Sequence, residues 1–69
     1  MADGELGNRL KAHRSDAGLT QAELAALVGV SRKTINTVEN GVFTPSTTLA
    51  LKLSRALNAP VGALFFLRE

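Results

Sequence analysis

Residues 19–41 read LTQAELAALVGVSRKTINTVENG, and this stretch decides the fold. Thr20 and Glu23 stand three residues apart at its start. This is the spacing of a capping box, in which each residue's side chain bonds the other's backbone N–H. The spacing predicts a helix over 20–28, with Gly29 ending it in a left-handed conformation.

A second helix is predicted over 32–40, with Ser31 as its cap. Its only apolar residues are Ile35 and Val38, three positions apart on one side. A helix with so narrow an apolar stripe depends on packing against the rest of the domain. Two short helices joined by a tight turn are the unit that places its second helix in the major groove of DNA. The side opposite the stripe is polar and carries Lys33, Asn36, Thr37 and Asn40.

The rest of the chain predicts three further helices. The first is predicted over 5–17, with Asp3 as a candidate cap, and the fourth over 46–57. Pro60 favours the start of a short fifth helix over 61–66. No β period of useful length is visible, so we predict an all-α, compact five-helix domain formed by the whole chain, 1–69.

Composition limits the possible functions. The chain has 69 residues, a formal net charge of +2, no Cys and one His. It therefore offers no thiolate zinc site, and we expect neither a metal nor a cofactor. No apolar run approaches the roughly 20 residues that a bilayer span needs, so we expect a cytoplasmic protein, nucleoid-associated when DNA-bound, and no membrane partner.

Three features of the deciding stretch are specific in combination. They are Gln21 at the start of the helix predicted over 20–28, the Gly-Val-Ser turn at 29–31 and the Glu-Asn-Gly end at 39–41. With them, 9–65 resembles the lambda-repressor-like helix-turn-helix family, the Xre/Cro type of transcriptional regulators. The other matching positions are Arg9-Leu10-Lys11, Arg14, Gly18-Leu19-Thr20, Glu23-Leu24-Ala25, Val28, Thr34-Ile35, Pro45-Ser46 and Ala56-Leu57.

The resemblance implies a lambda-repressor-like DNA-binding fold and a set of residues that contact double-stranded DNA. Gln21 would bond a phosphate and a base edge. The residues expected to face base edges are Arg32, Lys33 and Thr37. Those expected to position the DNA backbone are Thr34, Asn36 and Asn40.

The resemblance also implies a structural ion pair. Arg14 and Glu39 match a family pair that is buried and fixes the reading helix to the scaffold. Breaking such a pair costs about 3–5 kcal/mol.

Each of these interpretations has an ordinary alternative. Arg32 and Lys33 could be a solvated helix start, but adjacent cations oppose the helix dipole there, which favours a phosphate or guanine contact. Arg9 and Lys11 are as well explained by solvation as by phosphate contacts. His13 is read as a structural histidine, with a pH switch as the alternative.

The C-terminal segment Leu64-Phe65-Phe66-Leu67 is unusually apolar. Leu64 and Phe65 fit the family's core, whereas Phe66 and Leu67 exceed what so small a core takes up. We predict a homodimer interface at the fifth helix and this tail, with Leu64, Phe66 and Leu67 as its residues. Pairing of the tail as a short strand is the alternative.

The sequence thus predicts a sequence-specific DNA-binding transcriptional regulator, acting as a homodimeric repressor on a pseudo-palindromic operator. The alternative is an antitoxin or adaptor that uses the same fold to bind a protein partner, favoured by the apolar tail and by Leu27. Leu27 is otherwise a semi-exposed packing residue. No catalytic constellation or Gly-rich phosphate loop is present, so an enzyme is not expected.

Overall fold

The structure, a computed structural model, describes residues 5–68, in which five helices enclose one core and a two-stranded sheet joins the two ends of the described chain. In chain order the elements are β1 (Glu5–Asn8), α1 (Leu10–Asp16), α2 (Gln21–Val28), α3 (Arg32–Glu39), α4 (Thr47–Leu57), α5 (Val61–Leu64) and β2 (Phe65–Arg68).

The sheet corrects two of the predicted helix boundaries. Residues 5–8 form β1 rather than the first turns of a helix, and α5 ends at Leu64 because the chain extends from Phe65 onward. β1 and β2 run antiparallel, with Leu6 opposite Leu67. The tail therefore pairs as a short strand, as the sequence analysis allowed, but its partner 5–8 was predicted as helix because the two segments are about sixty positions apart. The all-α prediction therefore holds for the main body, with this small sheet added. The candidate cap Asp3 lies outside the described residues.

The helix-turn-helix forms as its caps predict. The Thr20 hydroxyl accepts from the Glu23 amide at 3.0 Å, and the Glu23 carboxylate accepts from the Thr20 amide at 2.8 Å. Gly29 ends α2 at φ 76°, a left-handed conformation that costs glycine little. The Ser31 hydroxyl then caps α3 by accepting from the Thr34 amide at 3.1 Å.

One apolar core holds the helices together. Both residues of the α3 stripe, Ile35 and Val38, are buried in it. Burying one such side chain contributes about 1.5–3 kcal/mol, so α3 is stabilised chiefly by its contacts with the rest of the domain. The buried residues are Leu10, Leu24, Ala25, Val28, Ile35, Val38, Leu49, Leu53, Leu64 and Phe65.

No helix within residues 5–68 has the length and apolar character to cross a membrane. The same residues also hold no group of three or more His, Asp or Glu side chains placed to bind a metal ion.

Candidate nucleic-acid interface

The outward side of α3 is polar and uncovered by the rest of the described chain. Arg32, Lys33, Asn36 and Asn40 are exposed. Thr34 and Thr37 are half-buried at its margins. We call the surface formed by Arg32, Lys33, Thr34, Asn36, Thr37 and Asn40 the polar face of α3.

This polar face presents only positive formal charge. Glu39 is the single carboxylate of α3, and its side chain is 2% exposed. Its charge is turned inward against Arg14. Arg32 and Lys33 are therefore the formal charges that an approaching polyanion meets on this helix.

The structure brings Arg14 of α1 and Glu39 together. Arg14 Nε lies 2.6 Å from Glu39 Oε2, and Arg14 Nη2 donates to Oε1 at 3.3 Å, with the Arg14 side chain 11% exposed. Arg14 Nη1 also donates to the carbonyl of Leu19 at 2.8 Å. The hydrogen bond to Glu39 raises the pKa of Arg14, opposing the effect of burial. The pair thus fixes the end of α3 to α1 and to the start of the helix-turn-helix.

Gln21 connects this ion pair to the polar face of α3. Its amide nitrogen donates to Glu39 Oε1 at 3.0 Å and to Asn36 Oδ1 at 3.2 Å. Its carbonyl oxygen accepts from Arg32 Nη1 at 3.3 Å. Gln21 therefore orients two side chains of the polar face, while both of its amide protons are already engaged.

The two threonines of the polar face are also engaged locally. Thr37 Oγ1 donates to the carbonyl of Thr34 at 3.0 Å, and Thr34 Oγ1 lies 2.9 Å from Ser31 Oγ. The carbonyl of Thr37 accepts from the amides of Val42 at 2.9 Å and Phe43 at 3.2 Å. These bonds fix the loop after α3 against the helix.

Sequence reasoning missed Asn8, which holds α3 from the sheet side. Asn8 Nδ2 donates to the carbonyl of Val38 at 3.0 Å, and Asn8 Oδ1 accepts from the amide of Leu10 at 3.1 Å. One amide group thus stabilises the start of α1 and the last turn of α3. The first role is that of an Asx turn, in which an Asn side chain bonds the backbone two residues on, and Asn is a sequence signal for such turns. The second role depends on the tertiary fold.

The tail residues predicted to form a dimer interface lie in three different environments. Leu64 is fully buried in the core, so we remove it from the predicted interface. Phe66 is half-buried across Gly7, and the guanidinium carbon of Arg9 lies 4.5 Å from the centre of its ring. Leu67 remains 65% exposed.

Known proteins are similar to this chain in sequence. The helix-turn-helix family model HTH_3 matches residues 10–64. An uncharacterised HTH-type transcriptional regulator from Methanothermobacter thermautotrophicus is 50% identical over 61 residues, covering 87% of this chain and 88% of that protein. A regulator described in the same words, from Archaeoglobus fulgidus, is 46% identical over 57 residues, covering 83% of this chain and 81% of that protein.

Solved structures show a similar fold. The restriction-modification controller protein C.AhdI from Aeromonas hydrophila matches with a TM-score of 0.73 and 38% identity, covering 77% of this chain and 80% of that one. The clp gene regulator ClgR from Corynebacterium glutamicum matches with a TM-score of 0.73 and 34% identity, covering 77% of this chain and 56% of that one.

Proposed function

The chain belongs to the lambda-repressor and Xre-like helix-turn-helix family of transcriptional regulators, and from this premise we propose that it is a repressor that binds a pseudo-palindromic operator as a homodimer. The observation that carries the proposal is the uncovered polar face of α3. It offers two cations and the amides of Asn36 and Asn40, on a helix fixed at its far end by Arg14 and Glu39.

We assign base reading to the exposed start of α3. Lys33 is exposed and makes no side-chain hydrogen bond to another described residue, so its ammonium group is available to a guanine edge or a phosphate. Arg32 shares one N–H with Gln21 and retains others for DNA. Thr37 contributes its methyl group and the lone pairs of its hydroxyl.

We assign Gln21 a supporting role alongside any direct contact. Because its amide protons bind Asn36 and Glu39, what it offers DNA in this arrangement is a lone pair of Oε1 and its backbone N–H. That backbone N–H lies at the first residue of α2, where amide groups have no partner within the helix. Such groups suit a phosphate oxygen.

The exposed end of the sheet supports the proposed homodimer. Leu67 is the large apolar side chain that β2 leaves most exposed, and Phe66 lies beside it. In the proposed dimer the Leu67 side chains of two copies pack against each other, and the two α3 helices read half-sites at the helix-turn-helix spacing of about 34–36 Å. A dimer occupying such a site in the cytoplasm would exclude polymerase, which is the simplest route to repression.

Selection of bound sequences from a random duplex pool tests the proposal, followed by titration of the selected duplex at several salt concentrations. We expect a consensus with dyad symmetry and an affinity that falls linearly on a log–log plot, by about 0.9 per phosphate neutralised. Enrichment of an asymmetric site would contradict the homodimer. Binding without any sequence preference would contradict the regulator and favour the protein-binding adaptor.

A further inference from the structure

A second surface lies where the C-terminal end of α2 meets α4. Leu27 of α2 is 62% exposed and Leu51 of α4 is 57% exposed. A shallow groove of about 440 Å³ lies along α2 and α4, bordered by Leu27, and a smaller depression of about 230 Å³ adjoins it at Leu51. Lys52 and Arg55 line both. We call the surface formed by Ala26, Leu27, Leu51, Lys52 and Arg55 the α2–α4 groove.

The α2–α4 groove is separate from the polar face of α3. Leu27 lies six positions after Gln21. At about 100° per residue, the two side chains point about 120° apart around α2. Neither depression includes Arg32, Lys33, Asn36 or Asn40. Whatever occupies the groove therefore leaves the DNA-facing side chains free.

The groove combines exposed aliphatic side chains with the positive charges of Lys52 and Arg55, which form no ion pair with a carboxylate among residues 5–68. Its lining includes no Asp or Glu. Of the described carboxylates, Glu23 is used in the capping box of α2 and Glu39 in the ion pair with Arg14. Exposed aliphatic side chains beside a charged rim are typical of a protein-binding surface.

These features decide between three kinds of occupant. A second copy docked symmetrically would bring Lys52 and Arg55 towards the same cations of its partner, which is unfavourable. A DNA duplex would satisfy the cations but set the leucines against phosphates. An acidic protein segment with aliphatic side chains satisfies both.

The walls of the groove also specify the form of the segment. The five residues of the groove all lie in α2 or α4, so it presents helical backbone and no strand edge for an extended peptide to pair with. Recognition must come from side chains, which is how an amphipathic helix binds a groove. We propose that the α2–α4 groove binds an amphipathic helix of another protein, with aliphatic anchors packed against Leu27 and Leu51 and carboxylates against Lys52 and Arg55.

Display selection tests this proposal. A library of helical peptides is selected against the full chain and counter-selected against the double variant Leu27→Gln/Leu51→Gln, since glutamine keeps helix propensity high. Val42→Thr, which alters a side chain that is 78% exposed elsewhere, is the matched control. We expect enriched peptides with aliphatic residues at i, i+3 or i+4 and Asp or Glu beside them. Their Kd should rise about tenfold or more for the double variant and stay unchanged for the control.

Charge reversal separates the occupants. For Lys52→Glu/Arg55→Glu, we expect the acidic peptides to lose binding, with the oligomeric state in sedimentation and the salt slope of operator binding unchanged. Operator affinity should fall only through the lower net charge. A lower salt dependence of operator binding would show that the two cations contact phosphates, and a changed oligomeric state would identify a second copy. Either result overturns the proposal, as does an empty selection or enrichment of basic peptides. Because peptide binding to the groove does not involve α3, failure of the peptide selection leaves the proposed DNA binding intact, and the reverse also holds.

Discussion

The side-chain amide of Asn8, in the first strand, donates a 3.0 Å hydrogen bond to the carbonyl of Val38, in the last turn of α3. Thirty residues separate the two along the chain. The bond joins the terminal sheet, which carries the exposed tail residue Leu67, to the helix proposed to read DNA. The position of α3 is therefore set from the sheet as well as from the ion pair on α1.

Asn8→Asp should lower both stability and operator selectivity. The aspartate retains an acceptor for the Leu10 amide but loses the donor to Val38 and sets a second oxygen against that carbonyl. We expect a loss of about 1–3 kcal/mol in the free energy of unfolding, measured by urea denaturation. Affinity for the operator should fall relative to affinity for random duplex at the same salt concentration. An unchanged ratio would show that Asn8 stabilises the fold without positioning α3.

Glu39→Ala should be among the most destabilising single changes. It leaves Arg14 with an uncompensated charge that is 11% exposed, and removes an acceptor of Gln21. We expect the free energy of unfolding to fall by about 3–5 kcal/mol. Glu39→Gln, which keeps the shape and an acceptor oxygen, should lose less. An unaltered melting temperature for Glu39→Ala would contradict a structural role for the pair.

The raised pKa of Arg14 fixes the sign of one pH dependence. A cation whose folded-state pKa is raised contributes its full stability below its unfolded-state pKa, and loses it only as the pH rises through the folded-state value. Thermal melts at neutral and mildly alkaline pH should therefore show no loss of stability attributable to Arg14. A wild type that loses more stability than Arg14→Met as the pH rises over this range would contradict the inference that Arg14 stays charged and stabilises the fold there.

Lys33→Ala should weaken operator binding while the domain stays folded. A good base contact contributes roughly 1–3 kcal/mol, so the loss should depend on the base at one position of each half-site. If Lys33 binds a phosphate instead, affinity should fall uniformly across sequences and the salt slope should fall by about 1. Lys52→Ala, at an exposed lysine of the α2–α4 groove, is the control. Equal operator affinities for the wild type and Lys33→Ala would contradict the proposal that Lys33 contacts DNA.

Gly7→Ala should destabilise the terminal sheet. A Cβ at Gly7 would lie 2.5 Å from Phe66 Cε1, so the ring would have to leave its place beneath Arg9. A Cβ at Gly62 of α5 would instead enter open space, and the φ of Gly62 is not positive. Gly62→Ala should therefore be neutral or stabilise the domain by roughly 0.5–1 kcal/mol. Melting temperatures that move in the same direction for both variants would contradict this account of the sheet.

Leu67→Gln should weaken the proposed homodimer. Its side chain is 65% exposed, so the change should leave the melting temperature of a dilute, monomeric sample nearly unaltered. Sedimentation equilibrium should show a weaker dimer than for the wild type. A wild type that sediments as a monomer at tens of micromolar would contradict the dimer itself.

The helix-turn-helix was predictable because its signals are local. The capping box of Thr20 and Glu23, the turn glycine at 29 and the two-residue stripe of α3 each act within a few positions. Short-range hydrogen bonds and helical periodicity were therefore sufficient to predict α2, α3 and the polar side chains exposed on α3.

The sheet was not predictable in the same way. Leu6 and Leu10 stand four positions apart, which is the spacing of a helix. The apolar tail allowed a strand at 65–68, but nothing near 5–8 indicates that these residues pair with it. For the same reason Phe66 read as surplus, although it covers Gly7.

The sequence by itself determined which side chains lie on the polar face of α3, because helix period and caps are properties of neighbouring residues. Only the tertiary structure decided how that helix is held. Asn8 reaches Val38, and Gln21 reaches Glu39 and Asn36, across elements that chain packing alone brings within hydrogen-bond distance. Such contacts depend on three-dimensional proximity between distant residues, which no single stretch of sequence encodes.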